Sequence, residues 1–265
     1  MIKISNSFDT ILDAAGKTLE VAPKLYDDAI QPAAQESGKT LGLIPRAINA
    51  ALVPVRQWIA HKEYNMAETE KLLAYKLEHF DPEKVVPPEP YVAVPALQAI
   101  SYSMNNNELR NLYANLLAKS MYIDTKDSVH PSFVEIIKQL SPLDAKVFQN
   151  IYNNSINPMI HLNRKSKLNG GTNSLIRNIT LINIASIESI SISINNLERL
   201  KLINIPYDSY YSNVDLYNPL YDLDIYKSYK RLYEVSSEYE LDVEKKIIEL
   251  TDMGNSFYNI CVKNN

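Results

Sequence analysis

Along the first half of the chain, apolar residues recur at the spacing of helix faces. Phe8, Ile11, Leu12, Ala15 and Leu19 form one amphipathic stripe within residues 7–22, and Pro23 ends it. A second helix is expected from Tyr26 to Ser37, with Gly38 as its stop. The strongest stripe lies at 44–59: Ile44, Ala47, Ile48, Ala51, Leu52, Val55, Trp58 and Ile59. Pro45 suits its first turn, while Pro54 should kink or break it. Residues 65–80 predict a charged helix around Leu72, Leu73 and Leu77. The prolines between Pro82 and Pro90 predict an extended linker. Helices are then expected from Pro95 to residue 104 and over 108–122. Another opens at Pro131 and carries Phe133, Ile136, Ile137 and Leu140. Ser141-Pro142-Leu143-Asp144 has the form of a capping box, opening a helix with Val147, Phe148 and Ile151.

The pattern changes after Asn153. Residues 163–174, rich in Asn, Lys, Ser and Gly, predict a loop, and the Ile- and Ser-dense run at 175–194 fits either helix or strand. Residues 193–202 predict a helix that leads into a strand at 203–207, stopped by Pro206. A second strand is expected at 246–250, then a final helix over 252–262 with Thr251 as cap. On that helix Met253, Phe257, Ile260 and Cys261 share one face, which makes Cys261 a core residue.

The expected fold is therefore mainly α. A helical domain covers 1–140, with the proline-rich linker near 82–90, and an α+β domain covers 141–265.

Composition narrows the function without naming a reaction. The 265 residues carry a net charge of −4 with a sequence pI near 5.7, which argues against a dedicated nucleic-acid binder. A single cysteine makes neither an intrachain disulfide nor a cysteine metal site. The six glycines form no phosphate-cradling loop. The N-terminal residues lack the apolar run of a signal peptide, and a cytoplasmic protein is expected. His61, His79, His130 and His161 show no metal-ligand spacing, so neither a metal nor a cofactor is expected. No serine sits in a nucleophile-elbow setting.

Three segments carry a family resemblance. The first is Tyr26-Asp27-Asp28-Ala29-Ile30-Gln31-Pro32 with Gly38-Lys39-Thr40-Leu41-Gly42. The second is Leu109 to Met121, then the block from His130-Pro131-Ser132-Phe133-Val134-Glu135 to Leu140-Ser141-Pro142-Leu143-Asp144-Ala145. The third is Asn196-Leu197-Glu198-Arg199-Leu200-Lys201-Leu202-Ile203 with Leu250-Thr251-Asp252-Met253-Gly254-Asn255-Ser256-Phe257. Together they resemble the abortive infection alpha family of bacterial, often prophage-borne, proteins. The resemblance implies a link to phage defence and brings no catalytic residues; its most specific positions are His130, Pro131, Ser132, Phe133, Glu135 and Asp144. The third segment also resembles a winged helix, in which a helix runs into a strand and a second strand returns after a wing. Here the return takes about forty residues instead of a few.

That insert, 207–244, holds nine of the 18 tyrosines, nine acidic residues and three basic ones, a net of −6. It is expected to be a solvated helical insert with Tyr221, Ile225, Tyr229, Leu232 and Tyr233 turned inward. It could also stack single-stranded bases, or offer an acidic face to a basic partner. Asn195, Asn196, Arg199 and Lys201 are the residues that would face a nucleic-acid groove or a protein partner. Arg46, Arg56 and Trp58 would anchor helix 44–59 to a membrane surface or a partner, although a buried core helix explains the stripe more simply. His130 could pair with Asp124, Asp127 or Glu135 for acid–base work, or simply cap the helix that follows it. The expected function is a non-enzymatic phage-resistance component acting through a protein partner. A DNA-binding regulator is the first alternative. A membrane-active helical effector, associating with the membrane on activation, is the second.

Overall fold

A computed structural model describes residues 66–78, 80–103 and 106–264. The predicted helices at 7–22, 26–37 and 44–59, with Arg46, Arg56 and Trp58, lie outside the described residues. The chain divides into two compact units, Met1–Gln139 with Asn259–Asn265, and Leu140–Tyr258.

The first unit is helical. It contains α1 (Met66–Leu77), α2 (Pro90–Tyr102), α3 (Asn107–Ser120) and α4 (Ser132–Lys138). Asn106 starts α3 by accepting the Leu109 N–H at 3.0 Å. From Leu112 to Ser120 every residue of α3 is buried, because α1, α2 and α4 all pack around it. Leu77, Ala96, Ile100, Phe133 and Cys261 complete this core. Burial raises the Cys261 thiol well above its ordinary range, so it behaves as a small apolar residue. The last residues of the chain are held here: Asn115 Nδ2 donates to the Cys261 carbonyl at 2.8 Å.

Two details differ from the sequence expectation. α2 begins at Pro90, and Pro95 lies inside it rather than opening it. The stretch 82–90 is not a free linker: Val86 N donates to Met121 O at 2.8 Å and Ile123 N to Lys84 O at 3.0 Å. Pro82–Lys84 form a 3-10 turn rather than extended chain, and the open backbone groups of Lys84 and Val86 are taken by the residues that follow α3.

The second unit is α+β. It contains α5 (Pro142–Asn153), β1 (Pro158–Ser166), β2 (Thr172–Ile179), α6 (Ile187–Arg199), β3 (Ile203–Asn204), α7 (Asn218–Tyr221), α8 (Asp224–Glu234), β4 (Tyr239–Ile247), β5 (Glu249–Leu250) and α9 (Asp252–Phe257). The predicted capping box is present at α5: Ser141 Oγ accepts from Asp144 N at 3.1 Å, and Asp144 Oδ2 accepts from Ser141 N at 2.7 Å. Thr251 caps α9 as expected, accepting from Gly254 N at 2.9 Å.

The strands form an antiparallel sheet in the order β2-β1-β4, plus a separate β3-β5 pair. The expected loop at 163–174 is therefore mostly strand, with only the turn around Gly170 between β1 and β2. The ambiguous run at 175–194 divides into the end of β2 and the start of α6. The insert is not wholly helical either, since from Tyr239 onward it is β4.

Alternation along the strands gives the sheet two different faces. Ile160, Leu162, Leu241 and Val243 point one way, into a cluster with Tyr217, Leu220, Ile225 and Tyr229 supplied by the insert. Tyr221 and Tyr233 are half-buried as expected, but Leu232 is exposed. Tyr217 fixes the cover from within, donating its hydroxyl to Lys246 O at 3.0 Å and accepting from Tyr211 N at 3.0 Å. The opposite face carries His161, Asn163, Asp242, Glu244 and Lys246.

Candidate polar cavity on the sheet

Over that polar face lies a cavity of about 450 Å³, walled by the sheet, the second half of α6 and the segment after β3. Cross-strand register builds its floor. His161 pairs with Glu244 and Asn163 with Asp242 across β1 and β4, and Asn163 pairs with Ser174 across β1 and β2.

The register between β1 and β2 slips on either side of Leu162, and Asn178 takes a φ of +58°. Asn is among the few side chains that tolerate this conformation. The bulge turns the Asn178 N–H onto His161 Nδ1 at 3.0 Å. A ring whose Nδ1 accepts, while neutral, carries its proton on Nε2. Burial pushes the His161 pKa down, partly opposed by the nearby Glu244 carboxylate.

Asn178 is buried, and its Nδ2 donates to Asn195 Oδ1 at 2.8 Å and Ser191 Oγ at 3.2 Å. Lys246 is buried as well. Its ammonium meets Glu244 Oε1 at 2.7 Å, donates to the Tyr207 carbonyl and lies 4.9 Å from the Tyr207 ring centre. The Lys246 hydrogen bond holds the Glu244 carboxyl below the usual carboxylate range. Arg177 and Glu198 add one opposite charge each to the lining.

The sequence-predicted residues fall on and around this site. Asn195, exposed on α6, lines the cavity. Asn196 does not face outward. Its Nδ2 donates to Asp144 Oδ2 at 3.0 Å, and its Oδ1 accepts from Arg199 Nη2 at 2.7 Å. Asn196 thus ties α6 to the capping box of α5. Lys201 has a φ of +59° and ends α6 in a Schellman stop: its N–H reaches Glu198 O at 2.9 Å, and Leu202 N reaches Leu197 O at 3.0 Å.

The family-motif positions in the first unit make local contacts at α4. His130 Nδ1 accepts from Ser132 N at 3.1 Å and meets Ser132 Oγ at 2.6 Å. The ring therefore sits at the start of α4, next to Pro131, as the capping reading expects. Phe133 is buried, and Glu135 accepts from Lys138 Nζ at 2.7 Å.

The sequence reading did not bring together His161, Asn163, Asn178, Tyr207, Glu198, Glu244 and Lys246. The alternation Leu241-Asp242-Val243-Glu244 was the available signal for the polar face. Among the described residues, no group of three or more His, Cys, Asp or Glu is placed to hold a metal ion. No helix among them is long and apolar enough to cross a membrane.

The family model described as abortive infection alpha matches residues 61–261. The chain belongs to the abortive infection alpha family. The match includes both units' described elements up to Cys261 and all the cavity residues. No curated protein matches the chain. An uncharacterized protein from the hydrocarbon-degrading marine bacterium Alcanivorax borkumensis SK2 is similar at 15% identity, over 49% of this chain and 92% of that one, with a TM-score of 0.33.

Proposed function

We propose that this abortive infection alpha protein is a phage-resistance component that acts by contacting a protein partner rather than by catalysis. The family links the chain to abortive infection. The observation that carries the choice of partner is the outward face of α6. Glu188, Ile192, Asn195 and Arg199 are all exposed and fall along one side of the helix. That side holds one acid, one apolar residue, one amide and one base. Ile192 is 69% exposed at its middle, and Leu181 and Ile184 are exposed just before the helix. An apolar centre with a mixed polar rim suits a protein surface. A phosphate backbone calls for a cationic excess instead.

The helix running directly into β3, and the antiparallel β3-β5 pairing, support a winged-helix reading of the second unit. Under that reading the long insert replaces the wing, and α6 is the contact helix.

Expression in a susceptible host should lower phage yield per infected cell. Ile192→Glu should remove that effect without lowering the melting temperature, because surface substitutions usually stay within about 0.5 kcal/mol. Unchanged burst size across a broad phage panel would sink the defence reading. Full activity of Ile192→Glu would sink the contact face.

A further inference from the structure

We propose that the cavity on the polar face of the β2-β1-β4 sheet is a binding site for an uncharged nucleoside. The charges present do not select an ion. The Lys246 ammonium is already matched by Glu244 and by the Tyr207 carbonyl. Arg177 and Glu198 balance each other on the lining. A ligand with net charge would leave this balance uncompensated in a partly dry space.

What remains is a dense set of directional hydrogen-bonding groups. Asn178 Nδ2 is spent on Asn195 Oδ1 and Ser191, and Asn163 Nδ2 points to Asp242. The Asn195 Nδ2 donor and the Asn163 and Asn178 Oδ1 acceptors are therefore the amide groups that meet a flat edge carrying both kinds of partner, as a nucleobase does. The hydroxyls of Thr172 and Ser174 and the Glu198 carboxylate suit ribose hydroxyls. Asn163 and Asn178 are at least nine-tenths buried, so they are held in place before any ligand arrives.

Tyr207 supplies the flat surface. Tyr207 is 83% exposed at the mouth of a cavity lined, apart from Ile205, by polar side chains. The Lys246 ammonium lies on one side of that ring. Base-on-tyrosine stacking is favourable and indifferent to which base is present. The cavity volume of about 450 Å³ lies within the range of small-molecule sites.

This site and the proposed partner face of α6 share Asn195, but Tyr207 belongs only to the cavity and Ile192 only to the contact face, so substitutions at these two positions let the two readings fail independently. The experiment titrates the full chain with adenosine, guanosine, cytidine and uridine by calorimetry, with glucose, glutamine and inorganic phosphate as contrasting probes. At least one nucleoside should bind saturably below millimolar concentration, and the three contrasting probes should not. Tyr207→Ala should weaken binding by roughly tenfold or more, whereas Tyr207→Phe should retain it. Tyr207→Phe keeps both the carbonyl and the ring face that Lys246 uses and should leave the melting temperature unchanged, whereas Tyr207→Ala keeps only the carbonyl and should lower it slightly without unfolding the chain. Ile192→Glu should bind the nucleoside normally. The proposal is overturned if no nucleoside saturates, if phosphate, glucose or glutamine binds as tightly, or if Tyr207→Ala binds as well as the parent.

Discussion

At His161 one backbone hydrogen bond organises much of the cavity floor. The Asn178 N–H can reach Nδ1 only because residue 178 adopts a positive φ, and the same bulge places the Asn178 amide against Ser191 and Asn195. A buried neutral imidazole makes stability depend on pH. Its folded pKa lies below the ordinary histidine value of 6.5, so between the two the unfolded chain binds more protons. Stability is then fully present above about pH 6.5 and falls as the pH drops towards the folded value. Glu244 acts further down the scale. Its folded pKa is depressed, so its contribution is present above the unfolded value of 4.5 and lost as the pH falls through the folded value. The melting temperature should therefore decline from pH 7 to pH 5 in the parent. In His161→Asn, whose Oδ1 can still accept the Asn178 N–H, that decline should be shallower. Parallel curves for the two proteins would show that His161 does not carry the acid sensitivity.

Among the elements, the β3-β5 pair and α9 show why position 254 is a glycine. Thr251 Oγ1 accepts from Gly254 N at 2.9 Å and also donates to the carbonyl of Lys201, bringing the first turn of α9 onto the end of α6 and the start of β3. A Cβ at Gly254 would clash with the Leu202 carbonyl oxygen, which is backbone and cannot rotate away. Gly254→Ala should destabilise the protein by about 1–3 kcal/mol or more, read as a lowered denaturant midpoint with an unchanged slope. A midpoint equal to the parent's would mean that α9 shifts without cost. The same elements show what was legible in the sequence. Ser141 to Asp144 and Thr251 have side-chain signatures for caps, and both are observed. The α3, α4 and α5 stripes are long and periodic enough to be read without tertiary information. The β1-β2 hairpin was not legible, because Asn163, Arg164, Lys165 and Lys167 are polar strand and turn residues that face the cavity or solvent. Their strand character comes from pairing with β4, whose sequence lies about eighty residues away. The cavity was hidden for the same reason. His161 and Glu244 are neighbours only through register, and Asn178 owes its position to a bulge that leaves no compositional mark.

For the molecule as a whole, charge distribution supports the proposed protein partner over nucleic acid. A helix followed by a β pair suits either DNA or protein. However, the chain carries −4 overall and −6 within residues 207–244. The two cations at the end of α6 are also committed locally. The Arg199 guanidinium is held on Asn196 Oδ1, and Lys201 is placed by the Schellman stop rather than by the helix face. A protein that neutralises six to ten phosphates loses roughly 10³–10⁵ in affinity between 50 and 200 mM salt. The end of α6 supplies only the two, Arg199 and Lys201. Anisotropy titrations of the full chain against random duplex DNA should therefore show weak binding, changing by less than about tenfold over that salt range. Submicromolar binding with a steep salt slope, lost on combining Arg199→Ala with Lys201→Ala, would make α6 a groove reader and displace the protein-partner reading. A shallow slope together with loss of phage resistance in Ile192→Glu would leave a surface recognised through its apolar centre, with the acidic insert keeping the chain off nucleic acid.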